Sequence, residues 1–401
     1  MRARTGVLAG TVALAAVTAT AAPAAAKPAA HHHRGDIVST VDLGGQDTAA
    51  TTAYLAAHGL PAPAARYGTH AYRLVYRTVD PHGKPTTASG LVMLPDRGQR
   101  VLRAVAFEHG TMANRAYAPS VDPDGRSEAT YFAAAGYAAV APDYLGLGVG
   151  PGRHPYSDIA SETTASVDML AATRTFAGRH RHQLDRRLLV SGFSQGGPAA
   201  MALGRAIQGG ADRHFRVAAL APISGPYDVE HAELPVGLFG DSLDPPTVVY
   251  LFAYWLTSMS RLYPIYQSPS EAFQAPYDAI VDGLYDGSHS DAEIVSKLPA
   301  TPRQLLTPAF VAWAAHPTGA LLDALRATDG SCDWRPKAPV RLWGAHGDRT
   351  VAFLDSRNCV ADLAAHGVHA PLTDLGDILH SPSKKAALPQ ILTYFQRYQV
   401  S

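Results

Sequence analysis

The stretch Leu188-Leu189-Val190-Ser191-Gly192-Phe193-Ser194-Gln195-Gly196-Gly197-Pro198-Ala199-Ala200-Met201 decides the architecture of this chain. It opens as a short apolar strand, passes through G-x-S-x-G, and continues into a run with the character of a helix. A serine on a tight strand-to-helix turn exposes its hydroxyl, and that turn is strained unless glycine flanks it on both sides. Pro198 suits a first helical turn, whose amides have no helical partner. The helix N-terminus favours developing negative charge. Ser194 is therefore the candidate nucleophile. The pentapeptide alone carries little weight in a chain with 35 glycines, so its flanks carry the argument.

Outward from that turn, strands and helices alternate. Tyr72 to Val79, the turn Asp80-Pro81-His82-Gly83 and Ala88 to Leu94 read as an opening hairpin. Strands are expected at Val101 to Phe107, Tyr137 to Pro142, Val217 to Ile223, Val340 to Trp343 and His369 to Leu375. Helices are expected at Glu128 to Ala135, Ser157 to Phe176, Gly197 to Ile207, Ala352 to His366 and Lys384 to Tyr398. This alternation implies a mainly parallel sheet with helices on both faces, an α/β protein. Between 228 and 330 the rhythm breaks into helical, proline-rich sequence, including the wholly apolar Val248 to Leu256. The expected layout is a core over 47–227, a helical insertion over 228–330 and a core resumed over 331–401.

A tetrahedral oxyanion needs two amides aimed at it. One is expected from Gln195, the residue after the nucleophile. The other is expected from Glu108-His109-Gly110-Thr111 at the end of an earlier strand, with Thr111 the preferred donor and Gly110 shaping the turn beside it. The acid and base should follow in chain order on later strand ends. Gly344-Ala345-His346-Gly347-Asp348 supplies Asp348 as acid, and Gly376-Asp377-Ile378-Leu379-His380 supplies His380 as base. Asp374 and Asp377 are fallback acids.

Bulk properties agree with a neutral small-molecule substrate. Lys plus Arg and Asp plus Glu are 34 each, which gives no electrostatic reason to expect nucleic acid or an anionic membrane as partner. Arg2, Arg4, the short apolar run Val7 to Ala19 and Ala24-Ala25-Ala26 read as an export signal over 1–26, followed by a flexible linker over 27–46. The expected location is extracellular, without a stable membrane anchor. Cys332 and Cys359, the two cysteines of an exported chain, are expected to form a disulfide. They have no ligand-like spacing, so no metal site is expected.

Taken together, His109-Gly110, Pro142-Asp143-Tyr144-Leu145-Gly146-Leu147-Gly148, His154-Pro155-Tyr156, Gly192 to Gly197, Asp348 and His380 resemble the secretory lipase family, which includes fungal lipase-A-like enzymes and exported bacterial esterases. The resemblance spans about residues 65–400. It implies an α/β-hydrolase core, a helical lid inserted before the acid-bearing strand, no cofactor, and lipase or esterase activity on a small-molecule or lipid ester. Ser194, Asp348 and His380 fall on the family's nucleophile, acid and base. Some fungal members carry an acidic residue where His109-Gly110-Thr111 stands, which leaves the strand-end oxyanion donor open. A peptidase on the same fold is the alternative, for which the acids Glu230, Glu233, Asp241 and Asp244 of the insertion are candidates for binding a free amine. A hydrolase-like binding protein is a third reading, and it would have lost at least one of the three residues.

Overall fold

A nine-stranded sheet is the frame of the computed structural model, which describes residues 1–2, 6, 33–61 and 65–398. The strands in chain order are β1 (Ile37–Gln46), β2 (Thr69–Val79), β3 (Pro85–Pro95), β4 (Val101–Leu102), β5 (Ala104–Glu108), β6 (Ala138–Pro142), β7 (Gln183–Leu184), β8 (Arg187–Phe193), β9 (Arg216–Ile223), β10 (Leu342–Gly344) and β11 (Leu372–Asp374). Their spatial order is β1-β2-β3-β6-β5-β8-β9-β10-β11, while β4 and β7 form a separate two-stranded ribbon. Pairing is antiparallel from β1 through β3 to β6 and parallel from β6 to β11.

Successive residues of β3 show how the two faces are filled. Val92 and Leu94 belong to one apolar core, and Leu91 and Met93 to the other, as the alternation of side chains across a strand requires. The flanking helices are α1 (Thr48–Ala57), α2 (Ser127–Ala134), α3 (Ile159–Arg179), α4 (Gly196–Gln208), α12 (Phe353–Ala365) and α13 (His380–Gln396). Buried residues of α3, α4 and α12 join the first core, and those of α1, α2 and α13 the second. This is the α/β-hydrolase arrangement, in which each parallel strand delivers its C-terminal end, and hence its loop, to one edge.

Between β9 and β10 every named element among the described residues is helical. After a π-turn at Val229–Glu233 come α5 (Leu234–Phe239), α6 (Pro245–Met259), α7 (Val281–Leu284), α8 (Asp291–Lys297), α9 (Pro302–Leu305), α10 (Pro308–Ala314) and α11 (Gly319–Thr328). They bury an apolar cluster of their own around Phe252, Trp255, Leu256, Phe273 and Phe310. Asp244 starts α6 by accepting from the Thr247 amide, with Pro245 and Pro246 in the first turn.

Several sequence expectations shift. The segment expected as linker over 27–46 contains β1, an edge strand whose mostly exposed residues hide the alternation that marks a strand. The run Val101 to Phe107 is two strands in two sheets, β4 and β5. His380 is not on a loop; it is the first residue of α13, four residues before the expected helix start. The export signal expected over 1–26 lies outside the described residues except at 1–2 and 6. Cys332 and Cys359 form a disulfide with Cα atoms 5.2 Å apart, joining the segment before β10 to α12. No helix among the described residues is long and apolar enough to cross a membrane.

Candidate active site

The turn between β8 and α4 holds Ser194 at φ 57, the left-handed region that a non-glycine residue enters at a cost of about 1–3 kcal/mol. The backbone holds it there from both sides. The Ser194 amide donates to Ile223 O at 3.0 Å, and the Gly197 amide donates to Ser194 O at 2.7 Å. A Cβ on Gly192 would collide with the Gly196 carbonyl, and one on Gly196 with the Glu108 carbonyl. Gly192 is therefore required by the tightness of the turn itself and Gly196 by its close approach to the end of β5.

Gly110 follows that strand end. A Cβ there would lie 3.3 Å from Ser194 Cβ, so the Gly110 backbone packs directly on the nucleophile turn. Thr111 lines the same cavity as Ser194, and its Oγ1 is 2.9 Å from the Tyr156 hydroxyl. Gln195 is the N-cap of α4. The three residues expected around an oxyanion thus gather at one turn.

Asp348 and His380 meet. His380 Nδ1 lies 2.6 Å from Asp348 Oδ2, and both side chains are buried. The other oxygen, Oδ1, accepts from the amides of Thr350 and Val351 at 2.8 and 3.1 Å. One carboxylate oxygen is thus fixed by the loop while the other faces the imidazole. The opposite ring nitrogen, Nε2, is buried without a hydrogen-bond partner, and the ring lies 4.5 Å from that of Phe193, the residue before Ser194. The fallback acids are not recruited. Asp374 is held at the surface by His346 Nδ1 (2.9 Å) and by the amides of His346 and Gly376. Asp377 packs against Gly347.

A small cavity of about 70 Å3 opens beside Ser194. Its apolar wall comes from Val229, Leu234, Val248, Leu251, Phe252, Trp255 and Val351, most of them residues of the insertion. Of the acids Glu230, Glu233, Asp241 and Asp244, Glu233 alone lines it. Burial pushes the Glu233 carboxyl upward, and its Oε1 accepts from the Ala352 amide at 2.6 Å. An acid already engaged by an amide has less to offer a free ammonium group.

Helix α6 is joined to the core side of the cavity. The Tyr254 hydroxyl donates to Met112 O at 3.2 Å, Ser258 Oγ donates to His154 O at 3.1 Å, and the Tyr156 amide donates to Ser258 Oγ at 2.7 Å. Tyr156 and Tyr254 stack at 4.2 Å.

Sequence reasoning missed a buried polar layer behind the turn. Glu108 accepts from Ser166 Oγ at 2.8 Å, and burial pushes its carboxyl up to about 7. Glu162 of α3 accepts from Gln195 Nε2 at 2.6 Å. Asp143 accepts from Ser89 Oγ and from the Ser120 amide and hydroxyl, which explains the aspartate of the Asp-Tyr-Leu-Gly-Leu-Gly run. An acid in the middle of an otherwise small and apolar stretch was the available signal for Glu162 and Glu108. Among the described residues no group of three His, Cys, Asp or Glu is placed to hold a metal ion.

No family model and no curated protein matches the sequence. Solved structures do. A putative hydrolase from Legionella pneumophila superposes with a TM-score of 0.84 at 26% identity, covering 90% of this chain and 98% of that one. The rice cell wall degrading esterase LipA from Xanthomonas oryzae superposes at 0.78 with 28% identity, covering 91% of this chain and 96% of that one. Lipase A of Candida antarctica in its closed state, at 14% identity and a TM-score of 0.66 over 92% of this chain and 82% of that one, shares the fold. On strand order and these likenesses, the chain has the α/β-hydrolase fold and is similar to solved hydrolases and esterases of that fold.

Proposed function

We propose that this carboxylic ester hydrolase works through an acyl-enzyme on Ser194, with His380 as base and Asp348 as its orienting acid. The observation that carries the reading is the Asp348–His380 contact at 2.6 Å, with the far imidazole nitrogen left unpartnered beside the nucleophile turn. In the first step Ser194 Oγ attacks the ester carbonyl carbon, and its proton passes to His380 Nε2. The carbonyl oxygen becomes an oxyanion facing the Gln195 amide and an amide of Gly110 or Thr111. Collapse breaks the ester C–O bond, and His380 returns the proton to the departing alcohol. Water then repeats the sequence on the acyl-serine, releasing the acid and restoring Ser194.

The chain's site is in the proposal an exported one. The Arg2 and Arg4 start, the apolar run and the alanine-rich stretch support export, and the Cys332–Cys359 disulfide fits an oxidising compartment. The fold likeness to an esterase named for degrading rice cell wall supports an ester rather than an amide substrate. The engagement of Glu233 by the Ala352 amide argues against the aminopeptidase alternative. Nitrophenyl acyl esters assayed beside aminoacyl anilides test the reaction class, and preference for the anilides refutes it. Ser194→Ala is expected to remove nearly all turnover and all labelling by a fluorophosphonate while keeping the fold.

A further inference from the structure

Behind the nucleophile turn lies a buried three-residue contact that no step above uses. Gln195, 2% exposed, brings its side-chain Nε2 to 2.6 Å from Glu162 Oε1 and 2.9 Å from His154 Nε2. The proton positions follow from chemistry. His154 Nδ1 is 2.9 Å from Leu145 O, and a carbonyl only accepts, so Nδ1 carries the hydrogen. Burial keeps this ring neutral, pulling it down to about 3, so Nε2 is an acceptor. Gln195 therefore turns its NH2 toward both neighbours and gives one proton to each.

We propose that Glu162 and His154 are positioning residues for ester hydrolysis: by accepting both side-chain amide protons of Gln195, they fix the peptide that follows Ser194 and with it the N–H that meets the oxyanion. The proposal rests on the reading of Ser194 as nucleophile. Gln195 is the N-cap of α4 and makes no side-chain cap bond, so its side chain is spent wholly on this clamp. Its backbone N–H lies among the first amides of the helix, which have no intrahelical acceptor. The clamp is costly to keep: Gln195 Oε1 is buried without a partner, which calls for a functional reason.

The clamp carries a pH dependence whose direction is fixed. Burial, with Asp158 and Glu108 nearby, pushes the Glu162 carboxyl up to about 8. Below that pH the group is neutral. Above it, a buried negative charge stands one glutamine side chain from the developing oxyanion, and turnover falls. The groups facing Glu162 are Asp158 at the start of α3, Glu108 at the end of β5, Tyr144, His154 and Tyr156 from the loop before α3, and Tyr254 from α6. Burial raises all three tyrosines, so they stay neutral there. Glu108, raised to about 7, needs its own control.

The test is kcat and KM for nitrophenyl butyrate on the full chain from about pH 6 to about pH 10, with fluorophosphonate labelling of Ser194 alongside. Wild type is expected to lose kcat on the alkaline side around pH 8, with KM little changed. Glu162→Gln keeps a neutral acceptor and is expected to abolish that fall, whereas Glu108→Gln leaves it in place. Glu162→Leu removes the acceptor and is expected to lower kcat by about 100-fold below about pH 8, the scale of a small misplacement, with no alkaline fall of its own and with most of that loss recovered in Glu162→Gln. An alkaline fall unchanged in Glu162→Gln, or abolished by Glu108→Gln, overturns the proposal, as does wild-type kcat in a folded Glu162→Leu. Failure of the wild type to label overturns the nucleophile reading instead, so the two failures are told apart.

Discussion

Replacing Asp348 by Asn changes one atom and asks the most of the proposed mechanism. Two backbone amides, from Thr350 and Val351, point at Oδ1. An Asn NH2 in that place would face two donors and leave both unpaired, at about 1–3 kcal/mol for each buried amide. The Asn oxygen therefore takes the Oδ1 position, and its NH2 takes the place of Oδ2, 2.6 Å from His380 Nδ1. A donor there makes Nδ1 an acceptor, which puts the ring proton on Nε2. That nitrogen then cannot take the proton of Ser194. The expected loss is about 10⁴-fold in kcat, or about 5.5 kcal/mol at 1.36 kcal/mol per decade. Initial rates on nitrophenyl butyrate at neutral pH measure it, and circular dichroism and thermal melting verify that the variant is folded. A folded Asp348→Asn enzyme within tenfold of wild type would refute the reasoning, because the imidazole would then have no need of that carboxylate.

Three further outcomes follow from other parts of the structure. The disulfide spans 27 residues, for which loop entropy gives about 3.5 kcal/mol; Cys332→Ala with Cys359→Ala should lower Tm by roughly 5 °C for a chain of this size, and an unchanged Tm would contradict that. Glu108 and Glu162 bind protons in the folded state up to about 7 and about 8, well above their unfolded range near 4.5. Buried His154, pulled down to about 3, opposes this below its unfolded range near 6.5, so the clear window runs from about 6.5 through about 8, where the folded state holds more protons and stability should fall as pH rises; a Tm rising steadily over that window would reverse the sign. The cavity beside Ser194 is small, about 70 Å3, and is walled by apolar side chains of the insertion. Short acyl esters should be cut faster than long ones, and Leu251→Ala, which opens the wall, should move the optimum to longer chains in a nitrophenyl ester series.

The elements that carry the site were legible because their chemistry and their local pattern coincide. At Ser194 the strand, the glycines and the proline all demand the same turn, and the β8–α4 turn forms there with Gly110 packed against it. What escaped was set by tertiary contact. β1 is largely exposed on the edge of the sheet, so its order comes from pairing with β2 and leaves no mark in its own hydrophobic pattern. β10 and β11 are three residues each, too short for alternation to define their ends. His380 begins α13 without a side-chain cap, so no capping signal marks the helix start. The Glu162–Gln195–His154 clamp joins the start of α3 and the loop before it to the distant turn of Gln195, and only their folding together brings the acid to the glutamine.

Helix α6 gives the insertion a mechanical division of labour. The chain adds it between two strands as part of the cap, yet its bonds to Met112, His154 and Tyr156 and its ring stack make it a fixed wall of the reaction chamber. Swinging it outward would strand several buried polar groups at once, so a hinge under this helix is the least economical door into the chamber. Leu234 of the short α5 lines the same chamber, and Phe239 at the end of that helix is 47% exposed. The α6 side of the chamber is thus pinned to the scaffold by polar bonds as well as by apolar packing.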